Sequence, residues 1–298
     1  FPDTLIIRDL YQMKPPRPFA PGGEISGTIA ALGEGVSGWA VGDRVIAGLG
    51  SGGLSEKLVI NSARLFRVPE GIDLVAASAL LMTYGTTIHA LKDRGAIKPG
   101  ETVLVLGAAG GVGLSAIELA KAYGCRVIAG VSSEDKARAA RRAGADDVVI
   151  YGRPPFDKEQ SKALAQQFKD AVGPKGADIV YDIVGGDYSE PALRAIAWEG
   201  RFLVIGFPAG IAKMPLNLTL LKSCDIRGVF WGAFTARDPE ANAAHIAELF
   251  ALWQAGKIAP LISETYPLER AHEAIAKLDQ RGAIGKLVVV MDAGKQPG

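Results

Sequence analysis

The run Thr102-Val103-Leu104-Val105-Leu106-Gly107-Ala108-Ala109-Gly110-Gly111-Val112-Gly113 decides how the rest of the chain is read. Thr102 to Leu106 is short and apolar, bounded by Gly100-Glu101 and by glycines, as in a strand buried on both faces. Residues 114–123 carry apolar and small side chains at helical spacing and stop at Gly124, a residue suited to a helix end. Strand, glycine turn and helix in that order form a seat for a dinucleotide pyrophosphate. The first N–H groups of a helix lack partners and lie at the positive end of its dipole. Of the pattern G-x-G-x-x-G the chain keeps Gly110 and Gly113 and places Ala108 first. Alanine suits that position if its φ stays negative, whereas Gly110 must lack a side chain so that backbone and phosphate can meet. The stretch would also serve as a tight structural turn. Its position after a strand and before a helix favours binding.

Outward from the turn the pattern alternates. Strands are predicted at 102–106, 125–130, 147–150, 177–183, 201–205 and 225–230, and helices at 111–123, 134–143, 156–172 and 188–197, with a short helical turn at 218–223. Crossovers of this length imply a doubly wound parallel sheet, an α/β Rossmann unit. Residues 1–70 have another texture. They are rich in Gly and Pro, with β-type runs at 27–31, 44–47, 58–60 and 65–68, and read as a small barrel-like β unit. An Ala-rich helix over 74–91, interrupted at Thr83-Tyr84-Gly85-Thr86, leads into the Rossmann part. After it come a helix at 242–255, another at 268–279, a terminal strand at 286–291 and a frayed end at 294–298. The predicted division is 1–76 with 237–298 as one domain and 77–236 as the other.

The second strand bears on cofactor choice, because an acidic residue at its end bonds the ribose 2′-OH of NAD. Here Gly130-Val131-Ser132-Ser133 holds no carboxylate, Lys136 follows, and Tyr151 ends the third strand. Ser132, Ser133 and Lys136 offer hydroxyl and ammonium donors to a 2′-phosphate. The same residues also read as a helix cap followed by a solvated face. If Glu134 turned back to the ribose, NAD would fit; a first-turn carboxylate points along its helix, which favours NADPH.

The bulk numbers exclude several classes. A chain of 298 residues, 48% hydrophobic and 22% charged, suffices for two domains, and 33 basic against 32 acidic residues suggest neither nucleic acid nor an anionic membrane. No apolar run approaches a bilayer span. Two cysteines, Cys125 and Cys224, give no disulfide framework and fit a reducing compartment, so a cytoplasmic location is expected. Three histidines, His89, His245 and His272, each stand isolated within helical sequence, and no metal site is expected.

These features together resemble the medium-chain dehydrogenase/reductase superfamily, and within it the zinc-free quinone oxidoreductase (zeta-crystallin-like) branch. The resemblance covers essentially the whole chain. Its markers are Pro21-Gly22-Gly23-Glu24-Ile25-Ser26-Gly27, Gly42-Asp43-Arg44-Val45, Thr83-Tyr84-Gly85-Thr86, Gly107 to Gly113, Asp182-Ile183-Val184-Gly185-Gly186, Gly228-Val229-Phe230-Trp231-Gly232 and Gly285-Lys286. Zinc-dependent relatives carry a histidine in place of Gly23 and a four-cysteine lobe after the Gly-Asp-Arg-Val segment; both are absent. The resemblance implies a GroES-like catalytic domain beside the Rossmann domain. Relatives have further strands ahead of Phe1, so the front is expected to lack its N-terminal strands.

Carried over by position, the resemblance implies that Thr83, Tyr84 and Thr86 border the nicotinamide. Ala108, Gly110, Gly111, Val112 and Gly113 form the pyrophosphate turn, and Ser132, Ser133, Lys136 and Tyr151 meet the 2′-phosphate. Gly206-Phe207 and Phe230-Trp231-Gly232 flank the nicotinamide amide, with edge-strand packing as the other reading of Phe230 and Trp231. Lys286 approaches the cofactor, and Asp182 reads as a loop tie. Tyr11 falls in the segment that lines the substrate cleft in relatives, where it is a candidate to orient a carbonyl or donate a proton, as is Thr83 to act in catalysis. The implied activity is NADPH-dependent, metal-free hydride transfer to a quinone or α,β-unsaturated carbonyl. Rival readings are an enoyl-CoA or enal reductase and a non-catalytic, crystallin-like NADPH binder. A homodimer through the last Rossmann strand is implied as well.

Overall fold

The computed structural model describes residues 2–280 and 283–291. The chain divides into two compact units, Phe1–Thr83 with Pro260–Gly298, and Tyr84–Ala259. The expected end at 294–298 lies outside the described residues.

The first unit opens on a helix, α1 (Pro2–Ile6), where β texture was expected; Thr4 and Ile6 bury and Asp3 sits in the first turn. β1 (Glu24–Thr28), β2 (Arg44–Gly48) and β3 (Leu65–Arg67) follow as a three-stranded antiparallel sheet in the order β1-β2-β3. The strand expected at 58–60 does not form. Both edges of the central β2 are already paired, and Val59 stands fully exposed, so the run gains no burial that would hold it extended. The helical run α2 (Leu74–Arg94) passes through the expected break at 83–86 without interruption but turns at 78–80, after its first segment Leu74–Ala77, and its backbone widens to π-type turns at Leu81–Gly85 and His89–Arg94. Its length and apolar content would allow a membrane crossing, which the sequence reading did not foresee; 67% of the apolar window is buried in protein, as in a core helix.

In the second unit, β4 (Thr102–Leu106), α3 (Gly111–Ala122), β5 (Arg126–Val131), α4 (Glu134–Arg142), β6 (Asp147–Ile150), α5 (Lys158–Val172), β7 (Ala177–Asp182), α6 (Ser189–Arg194), β8 (Ile196–Val204), α7 (Asn217–Lys222) and β9 (Asp225–Gly228) alternate as predicted. The six strands order as β6-β5-β4-β7-β8-β9, all neighbours parallel. This is the doubly wound arrangement whose strand order reverses beside the first strand, where such folds bind ligands. Val103, Leu104, Val105 and Leu106 have no exposure, because β4 lies inside the sheet with both faces covered. α5 starts at Lys158 rather than 156, where Asp157 and Gln160 form a capping box. β8 begins at Ile196, inside the stretch read as helix, and β9 ends at Gly228, so Phe230 and Trp231 are not on an edge strand. Trp231 opens α8 (Trp231–Arg237), and α9 (Pro239–Gln254) follows.

α9 belongs to the second unit, burying Ile246 and Leu249, so the return to the first unit comes at Pro260 rather than near 237. β10 (Ile262–Pro267), α10 (Ala271–Asp279) and β11 (Lys286–Val290) complete the first unit, with β10 and β11 paired in parallel.

Candidate functional site

The turn after β4 is built around one left-handed residue. Gly107 has φ +69°, and a Cβ there would lie 2.7 Å from Val184 and 3.1 Å from Ile183. Ala108 is not in the positive-φ region, so alanine fits the first motif position. Gly113 is needed for packing, since a Cβ on it would lie 2.4 Å from the Gly107 carbonyl oxygen and 2.6 Å from Ala108 Cα. Gly110 differs. Its φ is −74°, and a Cβ would meet only the Gly107 carbonyl oxygen at 3.7 Å, an ordinary contact. Gly110 precedes the first turn of α3 and supplies no side-chain cap. The N–H groups of Gly111, Val112 and Gly113 thus face an open, bare-backbone cradle of the kind that accepts phosphate oxygens. The residues present fit a dinucleotide pyrophosphate.

At the end of β5, Ser133 caps α4, its hydroxyl accepting the Lys136 N–H at 3.4 Å, while Lys136 Nζ donates to Ser132 Oγ at 3.1 Å. The segment is therefore a helix cap and, at the same time, a place where an ammonium is brought to the strand end. Glu134 does not turn back toward the strand end; its carboxylate accepts Arg141 at 3.0 Å, along the helix. Asp135 is taken by Arg138. Tyr151 is placed differently from the expectation of a phosphate contact. Its hydroxyl accepts the Gly107 N–H at 3.0 Å and gives its one proton to the Gly130 carbonyl at 3.1 Å. Burial raises the phenol's pKa, and the ring fits because residue 130 is glycine, where a Cβ would lie 2.8 Å from Tyr151. Tyr151 is a strut inside the turn.

Asp182 closes β7 as a loop tie. Its carboxylate, 2% exposed, accepts Val184 N–H at 2.8 Å, Gly185 N–H at 2.9 Å and the Ser189 hydroxyl at 2.6 Å. Burial raises its pKa against these bonds. Gly206 continues from this strand pair, its N–H reaching the Asp182 carbonyl, and Phe207 is exposed. Phe230 is exposed, whereas Trp231 buries against Gly85, where a Cβ would lie 2.8 Å from the indole. Tyr84 is buried and donates to Glu118 at 2.6 Å, which also accepts the Ala259 N–H at 3.0 Å.

Sequence reading missed two clusters. Thr87, buried on α2, meets Ser115 at 2.7 Å and Tyr181 at 2.9 Å, tying α2 to α3 and β7 by hydroxyls alone. The signal was polar residues inside apolar helices, with no hint of their partners. The histidines are not all isolated: His89 Nδ1 and His245 Nε2 share Asp93, at 2.7 Å and 3.4 Å, and Phe234 stacks on both rings. Among the described residues no group of three or more His, Cys, Asp or Glu is placed to hold a metal.

In the first unit, Thr83 is buried with its hydroxyl donating to the Ala79 carbonyl. Lys286 pairs with Glu24, whose second oxygen accepts the Met82 N–H at 2.9 Å. Tyr11 is part-buried, and burial first and Asp3 second raise its pKa, so the phenol is protonated at neutral pH. Asp3 itself accepts the Gly22 N–H at 2.8 Å.

Comparison with known proteins agrees with this arrangement. Residues 2–70 match the alcohol dehydrogenase GroES-like domain, and residues 111–248 match the zinc-binding dehydrogenase family. The chain is 37% identical to quinone oxidoreductase-like protein 2 of Rattus norvegicus, covering 97% of this chain and 81% of the relative. The crystal structure of Escherichia coli quinone oxidoreductase complexed with NADPH superposes with TM-score 0.86 at 30% identity, covering 97% of this chain and 87% of that one. The CurK enoyl reductase superposes with TM-score 0.81 at 25% identity, over 97% and 86% of the two chains. With a GroES-like front, a doubly wound parallel sheet and this degree of identity over nearly its whole length, the chain belongs to the quinone oxidoreductase family of the medium-chain dehydrogenase/reductase superfamily.

Proposed function

We propose that the chain is an NADPH-dependent, metal-independent reductase of quinones or α,β-unsaturated carbonyls. The observation that carries the cofactor is the open α3 N-terminus, where Gly110 leaves a cradle that the protein's own packing does not fill. Gly111, Val112 and Gly113 bind the pyrophosphate through their N–H groups. Ser132 and Lys136 supply donors for the 2′-phosphate, and Glu134 points along its helix to Arg141 rather than toward the strand end. Tyr151 supports the phosphate seat through Gly107 rather than by direct contact. Tyr84, Thr86, Gly206, Phe207, Phe230, Trp231 and Gly232, all in the second unit, are assigned to the nicotinamide. NADPH, when bound, supplies the hydride. The protein orients the acceptor and holds a proton ready for it: the Tyr11 phenol, protonated at neutral pH, is the candidate donor. A quinone or enone spreads developing charge over its conjugated system, so no Lewis acid is required.

A second reading, enoyl thioester reduction, is favoured by the similarity to an enoyl reductase. NADPH oxidation measured with ortho-quinones, enals and crotonyl-CoA separates the two. Turnover of quinone or enal acceptors is expected; turnover of crotonyl-CoA alone would move the assignment to the thioester. Tight NADPH binding with no oxidation by any acceptor would leave a binding protein. Lys136→Ala is expected to weaken NADPH by about tenfold while leaving NADH nearly unchanged, since a charge-assisted phosphate bond is worth about 1.5–3 kcal/mol. Equal losses for both nucleotides would remove the 2′-phosphate assignment.

We further propose a homodimer through β9. β9 is the open edge of the six-stranded sheet, Ile226 on it is exposed, as are Leu216, Leu220 and Leu221 just before it in the chain, and an unpaired edge invites a second strand.

A further inference from the structure

Three hydroxyls meet inside the second unit: Thr87 on α2, Ser115 on α3 and Tyr181 on β7. All three residues are wholly buried, so bulk water does not compete for their bonds. Thr87 Oγ1 lies 2.7 Å from Ser115 Oγ and 2.9 Å from the Tyr181 hydroxyl oxygen. Ser115 in turn donates to the Val112 carbonyl at 2.9 Å.

A hydroxyl has one proton and a carbonyl oxygen only accepts, which gives the chain a direction. Ser115 gives its proton to Val112, so the Thr87–Ser115 bond takes its proton from Thr87. The Tyr181–Thr87 bond then takes its proton from Tyr181. The donors run from Tyr181 to Thr87 to Ser115 and end on the Val112 carbonyl.

That carbonyl shares a peptide unit with the Gly113 N–H. In a trans peptide the two groups lie in one plane and point opposite ways. The carbonyl end of this unit is held by Ser115, and the N–H end is one of the three that open α3 without a partner inside the helix. Leu114 is the first residue of α3 whose N–H the helix itself takes up, at 2.8 Å from the Gly110 carbonyl oxygen. Bonds linked in this way polarise one another, so a donor on the carbonyl strengthens the N–H of the same peptide, most of all in a dry interior. The hydroxyls thus fix the plane of the Val112–Gly113 peptide and sharpen its N–H as a donor to an anion.

We propose that Tyr181, Thr87 and Ser115 are positioning residues for the dinucleotide pyrophosphate, a one-way chain of donors that ends at the Gly113 N–H; this rests on the NADPH reading above. Being wholly buried, they act through that peptide and not by contact. The pyrophosphate is common to NADPH and NADH, so the chain serves both alike, in contrast to Lys136.

The test titrates NADPH and NADH, by their fluorescence, into wild type, Thr87→Val, Thr87→Ser and the double variant Thr87→Val with Tyr181→Phe, and records the melting temperature of each without nucleotide. Thr87→Val cuts the chain and is expected to raise both Kd values about fivefold. It also strands the Tyr181 hydroxyl in the interior, so its melting temperature is expected to fall. The double variant removes the stranded hydroxyl and is expected to regain most of the melting temperature while keeping the fivefold loss of affinity. Thr87→Ser keeps the hydroxyl and is expected to bind both nucleotides within about twofold of wild type. Unchanged Kd values in Thr87→Val would overturn the proposal. So would a double variant that regains affinity along with stability, as packing alone predicts, or a Thr87→Ser variant as weak as Thr87→Val. A loss for NADPH alone would overturn it too, since the chain would then act at the 2′-phosphate. Wild-type protein that binds neither nucleotide would overturn the NADPH reading itself; wild-type binding with unchanged variants would overturn only the role given to the three hydroxyls.

Discussion

Gly110 and Gly113 stand in the same motif and do different jobs. Gly113 lets the first turn of α3 close on Gly107, where a methyl would lie 2.4 Å from a carbonyl oxygen; Gly110 meets nothing nearer than 3.7 Å. Gly113→Ala is expected to cost roughly 1–3 kcal/mol of stability through overpacking, visible as a drop of several degrees in the thermal midpoint. Gly110→Ala is expected to leave the midpoint almost unmoved and to weaken NADPH strongly, because its methyl would enter the space meant for phosphate. Circular-dichroism melting and nucleotide titration of the two variants check the contrast. The motif's spacing was legible in sequence. The division of labour was not, because it depends on how closely Gly107 and Ala108 fold back over α3.

At the scale of elements, α2, α8 and α9 meet in the second unit around one carboxylate. His245 on α9 has a pKa below its ordinary value of about 6.5, chiefly because its ring is buried; Lys92 and His89 push it the same way, and Asp93 and Glu248 oppose them. Its Nδ1 is buried without a partner among the described residues. A histidine with a depressed folded pKa contributes stability that is present above about pH 6.5 and lost as pH falls through the folded value. The protein is therefore expected to melt at progressively lower temperature from about pH 6.5 downward. His245→Gln is expected to flatten that slope, as read by thermal melts across pH. The element boundaries show what pattern reading does and does not reach. β4 and β6 fall where apolar runs predicted, because a buried parallel strand declares itself by composition. The run at 58–60 had the right residues, but its central Val59 faces solvent and the central strand of the sheet already has both neighbours. α1 had too few residues for a periodic signal.

For the whole molecule, the proposed dimer predicts a dimeric mass in sedimentation velocity at micromolar concentration. Ile226→Lys places a charge on the open edge of β9 and is expected to give a monomer; an unchanged mass would remove the β9 interface. Nucleotide linkage gives a second global readout. NADPH at about a hundred times its Kd is expected to stabilise the protein by about 2.7 kcal/mol, seen as a raised thermal midpoint, and Gly110→Ala is expected to lose most of that gain.

Local chemistry determined the doubly wound sheet, the glycine turn after its first strand, the helix cap at Ser133 and the loop tie at Asp182, since each is written in residues close together in the chain. Tertiary structure alone decided that Tyr151 spends its hydroxyl beneath the turn, that His89 and His245 share Asp93, and that Glu24 gathers Met82 and Lys286. Most of these pairings join residues tens to hundreds of positions apart. They leave no periodicity behind, because a side chain's partner across the fold is set by where whole elements pack, not by its neighbours along the backbone.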